Sequence, residues 1–310
     1  MPELPEVQTT TNGINKVAKG LVIKDVWTDY GGAIHKGKDH IKNTDFFQKI
    51  FKKVIGKKIL NTERKGKNIL IHLSHDLTIL IHMKMTGHIL YGTYKINKIE
   101  FGKLQWVPAV AGTPLSDPFN RFIHFVITLS NSKHLVMSDT RKFAKVTLIE
   151  TPKLHESSHL KGLGPEPLEK DFTWKLFKER LNKKPNGRIK NTLMMPEIIA
   201  GVGNIYSDEA LWASGIHPET LVRNIPDDCM KLLHKSVIEV LKKGIDFGGD
   251  SMSDYRKIYG EKGQFQGKHN AYRKTGTKCA RKNCKGIITR KMVGGRSSHF
   301  CSIHQKSPLK

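Results

Sequence analysis

The chain has 310 residues, 38% of them hydrophobic, enough for two domains with cores of their own and a small further module. Its 53 Lys and Arg against 28 Asp and Glu leave a formal net charge of +25, which argues against an ordinary small-molecule enzyme and for a polyanionic partner, nucleic acid first. No apolar run approaches the roughly 18 residues of a membrane span, no apolar signal core follows the start, and four cysteines are too few for a disulfide framework at this length. A cytoplasmic or nucleoid-associated protein with no membrane partner is expected.

The opening MPELPEV alternates prolines and carboxylates. Pro5 suits the first position of a helix and Glu6 its first turn. PEVQTTTNGINKVAKG then reads as a helix with Val7, Ile14, Val17 and Ala18 on one face and Gly20 ending it. The runs LVIKDVW, NILIHL, TILIHM, RFIHFVITL, HLVMS and AKVTLIE are rich in β-branched residues with partial alternation, and several such strands at short spacing predict a sandwich or barrel. The stretch 92–118 is poorly patterned and reads as a loop or insertion. TPKLHESSHLKGLGPEPL has the composition of a linker. Beyond it FTWKLFKERL, NTLMMPEIIA, IYSDEALWASG and DDCMKLLHKSVIEVLKKGI predict helices, and a basic tail without a single Asp or Glu follows from Lys268.

In that tail Cys279, Cys284, Cys301 and His304 follow the pattern C-x4-C-x16-C-x2-H. Two close pairs separated by a hairpin-length insert match a closed tetrahedral zinc site, and zinc replaces the apolar core that so polar a segment lacks. Four protein ligands leave no open position, so one structural zinc ion is expected. Cys229 lies in an amphipathic helical pattern and reads as packing. Arg296, in VGGRSSHF, is placed at the tip of the hairpin between the ligand pairs, where a guanidinium can grip a phosphate; the alternative is a solvated surface Arg. In IIAGVGNIYSDEALWASG two helices flank GVGN. Asn204 can cap the second helix, whose free N–H groups suit a phosphate, although an ordinary helical hairpin would carry the same text.

In chain order, PELPEV, RKGKNILI, MKMTG, SDTRKFAKV, LGPEPL, IAGVGNIYSDEALWASGIHP and GRSSHFC resemble the formamidopyrimidine-DNA glycosylase and endonuclease VIII family of DNA repair enzymes over almost the whole chain. GPEPL and GGDSMSDYRKIYGEKGQFQ resemble the formamidopyrimidine branch, which acts on oxidised purines such as 8-oxoguanine and formamidopyrimidines in duplex DNA. The resemblance implies an α+β multidomain fold. An N-terminal catalytic β-sandwich (1–150) leads through a linker (151–165) to a helix–two-turns–helix domain (166–267) and a zinc finger (268–310). Damaged double-stranded DNA would lie between the first two domains of a monomer. The chain departs from the family in three places. His304 stands where a fourth Cys is usual, four residues separate the first ligand pair instead of two, and MMPE at 194–197 replaces an LLDQ-like text.

The resemblance further implies that Pro2, freed by removal of Met1, is the nucleophile and Glu3 the general acid–base. An α-amino group, with a pKa near ~8, is partly neutral at pH 7 where a lysine is not. A secondary amine attacking C1′ gives an iminium that acts as an electron sink. Glu6 is either a supporting carboxylate or a first-turn helix acid. Lys67, rather than Lys65, matches the family's hairpin lysine. Met85, Arg141 and Phe143 match the residues that fill the space left by an everted base, and Lys142, Lys190, Asn204 and Arg296 are expected phosphate contacts. The glycine-rich stretch around GGDSMSDYRKIYGEKGQF is expected to close over the base. Two alternatives share much of this pattern: specificity for oxidised pyrimidines, and a non-catalytic nucleic-acid-binding protein.

Overall fold

A computed structural model describes residues 1–98 and 104–306. Two compact units emerge, Met1–Lys161 with Phe247–Gln264, and Gly162–Asp246 with Phe265–Lys310. The segment Phe247–Gln264, expected within the helical domain, thus packs with the first unit.

The first unit opens with α1 (Leu4–Ala18), whose Val7, Ile14 and Ala18 are fully buried. Ten strands follow: β1 (Ile23–Thr28), β2 (Ile59–Lys65), β3 (Asn68–Leu73), β4 (Leu77–His82), β5 (His88–Gly92), β6 (Tyr94–Lys98), β7 (Leu104–Pro108), β8 (Ile123–Leu129), β9 (His134–Ser138) and β10 (Lys145–Glu150). Eight of those described build two four-stranded antiparallel sheets, β1-β8-β9-β5 and β10-β4-β3-β2. Alternate residues of both sheets meet in one core: Ile69, Ile71, Ile79 and Ile81 from one, Phe125, Ile127, Leu135 and Met137 from the other. The period-2 spacing of these side chains is what the strand pattern in the sequence encoded.

Two features differ from the sequence reading. The stretch 92–118 is not structureless: β6 and β7 pair as a hairpin, and single 3-10 turns at Pro114–Ser116 and Pro118–Asn120 close the segment. Its residues 99–103 lie outside the described residues. A helical stretch, α2 (Thr44–Lys49) with a 3-10 turn at Phe51–Val54, escapes sequence patterning because lysines interrupt it. Its Phe47 and Phe51 stack at 6.0 Å, Phe51 meets Phe125 edge-on at 5.6 Å, and so the stretch belongs to the sandwich core.

The second unit holds α3 (Trp174–Asn182), α4 (Ile189–Leu193), α5 (Asn204–Ser214) and α6 (Asp227–Asp246), then the hairpin β11 (Ile288–Val293) and β12 (Arg296–Cys301). The helix expected over 191–200 is only the short α4, shifted toward the N-terminus, and its C-cap is Met194. The residue before a proline is biased away from helix, and Pro196 keeps 195–200 in turns. No described helix is long and apolar enough to cross a membrane.

Phe51 is fully buried although its surroundings in sequence are basic. Phe51→Ala should destabilise the protein by about 3–5 kcal/mol in urea unfolding, the usual cost of emptying such a site; a change within ~0.5 kcal/mol would remove this stretch from the core.

Candidate active site and nucleic-acid interface

The opening residues after the exposed Met1 are packed into the first unit. Pro2 is buried, and Glu3 and Glu6 are 2% and 1% exposed. Glu3 is the N-cap of α1, and Glu6 stands at the third helical position, so the two form a capping box in which the Glu3 N–H donates to Glu6 Oε2 at 2.8 Å. The other oxygen, Glu6 Oε1, accepts the Asp250 N–H at 2.7 Å, and the Tyr255 hydroxyl donates to the Glu6 carbonyl at 3.2 Å. Glu6 therefore ties the opening residues to the segment Phe247–Gln264. The structure makes it a structural carboxylate of a specific kind, beyond a first-turn acid.

Lys67 lies in the two-residue turn Gly66–Lys67 joining β2 to β3, with Lys65 paired to Asn68. His82, at the end of β4, sits in register between Asn68 and Lys145 and accepts the Lys84 N–H on Nδ1 at 3.0 Å. Burial, followed by the charges of Lys84, Lys67 and His159, pushes its pKa down to about 3, so it is neutral at pH 7. Sequence reasoning passed over His82. The signal was a lone imidazole closing the apolar run LTILIH beside two basic turns.

Met85, Arg141 and Phe143 come from two turns, and one buried carboxylate holds both. Asp139, wholly buried, accepts from the Thr86 hydroxyl on one oxygen and from the Tyr30 hydroxyl (3.0 Å) and Ala144 N–H (2.8 Å) on the other. The Arg141 N–H in turn donates to Thr86 Oγ1 at 3.2 Å. The exposed side chains flanking this knot are the ones the sequence singled out: Met85 is 38% and Phe143 47% exposed, with the Arg141 guanidinium 4.4 Å from the Phe143 ring centre. Neither Thr86 nor Asp139 stood out in the sequence, where each reads as an ordinary turn residue. Lys142 pairs with Asp29 at 3.2 Å, so a phosphate approaching it competes with that carboxylate.

In the second unit the N-cap of α5 is Gly203, with Asn204 the first helical residue, which corrects the expected cap. The Asn204 side-chain oxygen is buried with no protein partner. Lys190 is a second correction. It is fully buried, its Nζ donating to Asp208 Oδ1 at 2.7 Å and to the Asn204 carbonyl at 2.8 Å, and so it supports Asn204 from behind and offers no surface cation. Asp208 also accepts from the Ser298 hydroxyl (2.7 Å), the His299 N–H (3.0 Å) and, at 3.1 Å, pairs with His299 Nδ1. One carboxylate thereby fastens β12 to α5. The tip of that hairpin, Gly294–Gly295, has φ of 53° and 76°, the left-handed pair a two-residue turn needs, and presents the exposed Arg296 beside it.

Cys279, Cys284, Cys301 and His304 converge with their ligand atoms all within 4.8 Å of one another. Cys279 Sγ is 3.4 Å from His304 Nδ1, and Cys284 Sγ is 3.5 Å from Cys301 Sγ. His304 Nε2 donates to the Trp212 carbonyl at 3.0 Å, which leaves Nδ1 as the lone-pair nitrogen, and burial lowers its pKa toward the neutral form. Three thiols and an imidazole so arranged can bind a metal ion.

Residues 1–146 match the formamidopyrimidine-DNA glycosylase N-terminal domain and residues 163–256 the formamidopyrimidine-DNA glycosylase H2TH domain. The formamidopyrimidine-DNA glycosylase of Desulforamulus reducens is 33% identical over 99% of this chain and 100% of its own length, and that of Bacillus subtilis 32% over 97% and 98%. Among solved structures, the Lactococcus lactis Fpg in complex with abasic-site DNA superposes with a TM-score of 0.80 at 32% identity, covering 98% of this chain and all of that one. The same organism's Fpg (MutM) with N7-benzyl-Fapy-dG DNA gives 0.79. The chain belongs to the formamidopyrimidine-DNA glycosylase family.

With a folded pKa of about 3 against an ordinary 6.5, His82 binds fewer protons than the unfolded chain between those values. Its contribution to stability is complete above the unfolded pKa and drains away as pH falls toward 3. His82→Gln should flatten the loss of thermal stability between pH 7 and 5; an unchanged slope would show that this imidazole is not held neutral.

Proposed function

We propose that this protein is a base-excision-repair DNA glycosylase and AP lyase that removes oxidised purines from duplex DNA. The observation that carries this reading is the immobilisation of the opening residues. A stretch that would ordinarily fray has Pro2 and Glu3 buried side by side at the positive end of α1, fixed by Glu6. A non-catalytic binder has no use for such an arrangement.

With Met1 attached, the Pro2 nitrogen is an amide with no lone pair to give; removal of Met1 makes it a secondary amine. Its lone pair attacks C1′, forming the N–C1′ bond as the glycosidic bond breaks, and the base leaves with its electron pair and takes up the proton that the alkylated nitrogen sheds. Glu3 delivers a proton to the sugar ring oxygen as the ring opens. The resulting iminium has no N–H to lose, so it draws electrons from the C2′–H bond and expels the 3′ phosphate. A second elimination expels the 5′ phosphate, and water releases the proline. Lys67 and Arg296 hold phosphates, with Asn204 lending a side chain and Lys142 exchanging Asp29 for phosphate. Met85, Arg141 and Phe143 enter the space the everted base leaves. The segment Phe247–Gln264, tied to Glu6, reads the base.

The cysteine–histidine cluster is suited to one structural zinc ion held by Cys279, Cys284, Cys301 and His304. Zinc there would supply no step of the reaction; it would brace the module that carries Arg296 in place of an apolar core. We assign 1–150, with the segment Phe247–Gln264, to the chemistry and base reading, and the remainder of 166–310 to DNA grip.

Borohydride should trap a covalent adduct between Met-processed protein and duplex containing 8-oxoguanine or an abasic site. Protein that retains Met1 should bind the same DNA and give no adduct; equal trapping by both forms would dismiss Pro2 as nucleophile. Native mass spectrometry should find one zinc per chain, absent in Cys301→Ser. Arg296→Ala should lower the slope of log K against log salt by about 1; an unchanged slope would leave Arg296 a bystander.

A further inference from the structure

The insert that sequence alone could not explain meets the segment expected to read the base. Arg256, in that segment, is 1% exposed. Its Nε and Nη2 donate to the two oxygens of Asp117 at 3.1 and 3.0 Å, a bidentate pair, while Nη1 donates to the carbonyls of Ser253 (2.7 Å) and Tyr255 (2.9 Å). Asp117 belongs to the insert, and the ring of the nearby Phe119 lies 4.8 Å from the same guanidinium. Asn120, fully buried, donates from Nδ2 to the Pro114 carbonyl at 2.9 Å and to the Gly260 carbonyl at 3.4 Å, while its Oδ1 meets His88 Nε2 on β5 at 2.9 Å. Gly260 has φ +93°, and a Cβ there would lie 2.6 Å from the Pro114 carbonyl carbon and oxygen. The end of β5 adds a backbone bond, Tyr91 N–H to the Ile258 carbonyl at 2.7 Å.

These contacts fall on residues 253–260. Met252 and Ser253, next to the Glu6 tie at Asp250, are exposed. The segment is thus fastened on both sides of a short exposed tip.

We infer that 109–120 is a latch that orders the base-reading segment before DNA binds, with Asp117 and Arg256 as positioning residues for lesion discrimination. The physical reason is the state of Arg256. A buried guanidinium without its carboxylate is strongly unfavourable, so the segment has one arrangement that satisfies it. A segment ordered in advance loses less freedom when it meets the base, which favours a base that fits and does nothing for a site with no base. This inference rests on the glycosylase reading above.

The test compares wild-type, Asp117→Asn, which keeps shape and removes the charge, and Asn120→Ala, which removes the bonds to the Pro114 and Gly260 carbonyls and touches no charge. Hydrogen exchange on the free proteins and single-turnover kinetics on two DNAs are measured, with thermal unfolding to confirm that each variant is folded. Both variants should lose about tenfold or more of the amide protection across 254–260. Excision of 8-oxoguanine should slow about tenfold, while strand cleavage at a preformed abasic site stays within about twofold. Unchanged protection, or equal loss of both activities, overturns the latch. Wild-type protein inert on both DNAs would instead sink the glycosylase reading, and exchange alone would then decide the latch.

Discussion

The Glu6 carboxylate is the constraint on which the first unit's functional arrangement depends. An ionised carboxylate accepts only, and has room for several donors. One oxygen takes the amide that opens α1, and the other takes an amide from a segment more than two hundred residues further along the chain. Both bonds lie in a buried place, where their loss is costly. The result is a pair of residues, Pro2 and Glu3, buried at the start of α1. The covalent catalysis proposed above would need such placement, because an unplaced nucleophile forfeits most of the advantage of proximity.

The same device recurs behind the other candidate side chains. Asp139 lies beneath Met85, Arg141 and Phe143, and Asp208 lies behind Asn204 and beside the strand that begins at Arg296. In each case a fully buried acid collects hydrogen bonds from two pieces of chain and leaves exposed or part-exposed side chains on the outside. In a protein of net charge +25, the buried acids Glu6, Asp139 and Asp208 each tie together separate pieces of chain. Lys190 illustrates the division. Paired to Asp208, it serves as scaffold while the exposed Arg296 keeps its charge at the surface.

Much of this was legible in the sequence. Strand periodicity placed most of the sandwich, because side chains that alternate across a sheet leave a period of two in the text. The cysteine and histidine spacing indicated a metal site directly, since those ligands lie close together in sequence. What was not legible has a common cause. The α2 stretch looked basic because its aromatic residues are separated by lysines that point to solvent. The insert looked structureless because its order comes from Asp117, Asn120 and Leu115 meeting partners elsewhere in the unit. His82, Thr86 and Asp139 carry no motif of their own.

By itself the sequence determined the family, the Pro2–Glu3 pair near its start, the cysteine–histidine spacing that suits a metal and the basic character that fits a DNA partner. Each is a matter of residue type at short spacing, and local text suffices for it. The tertiary structure decided which charges are available and which are spent. Lys190 and Lys142 read alike as phosphate contacts, yet burial against Asp208 removes the first and Asp29 competes for the second. It also decided that Glu6 is a tether and that the insert holds the segment around Arg256. Burial and partnership across long sequence separations set the energy of a charged group, and neither is written in the neighbouring residues.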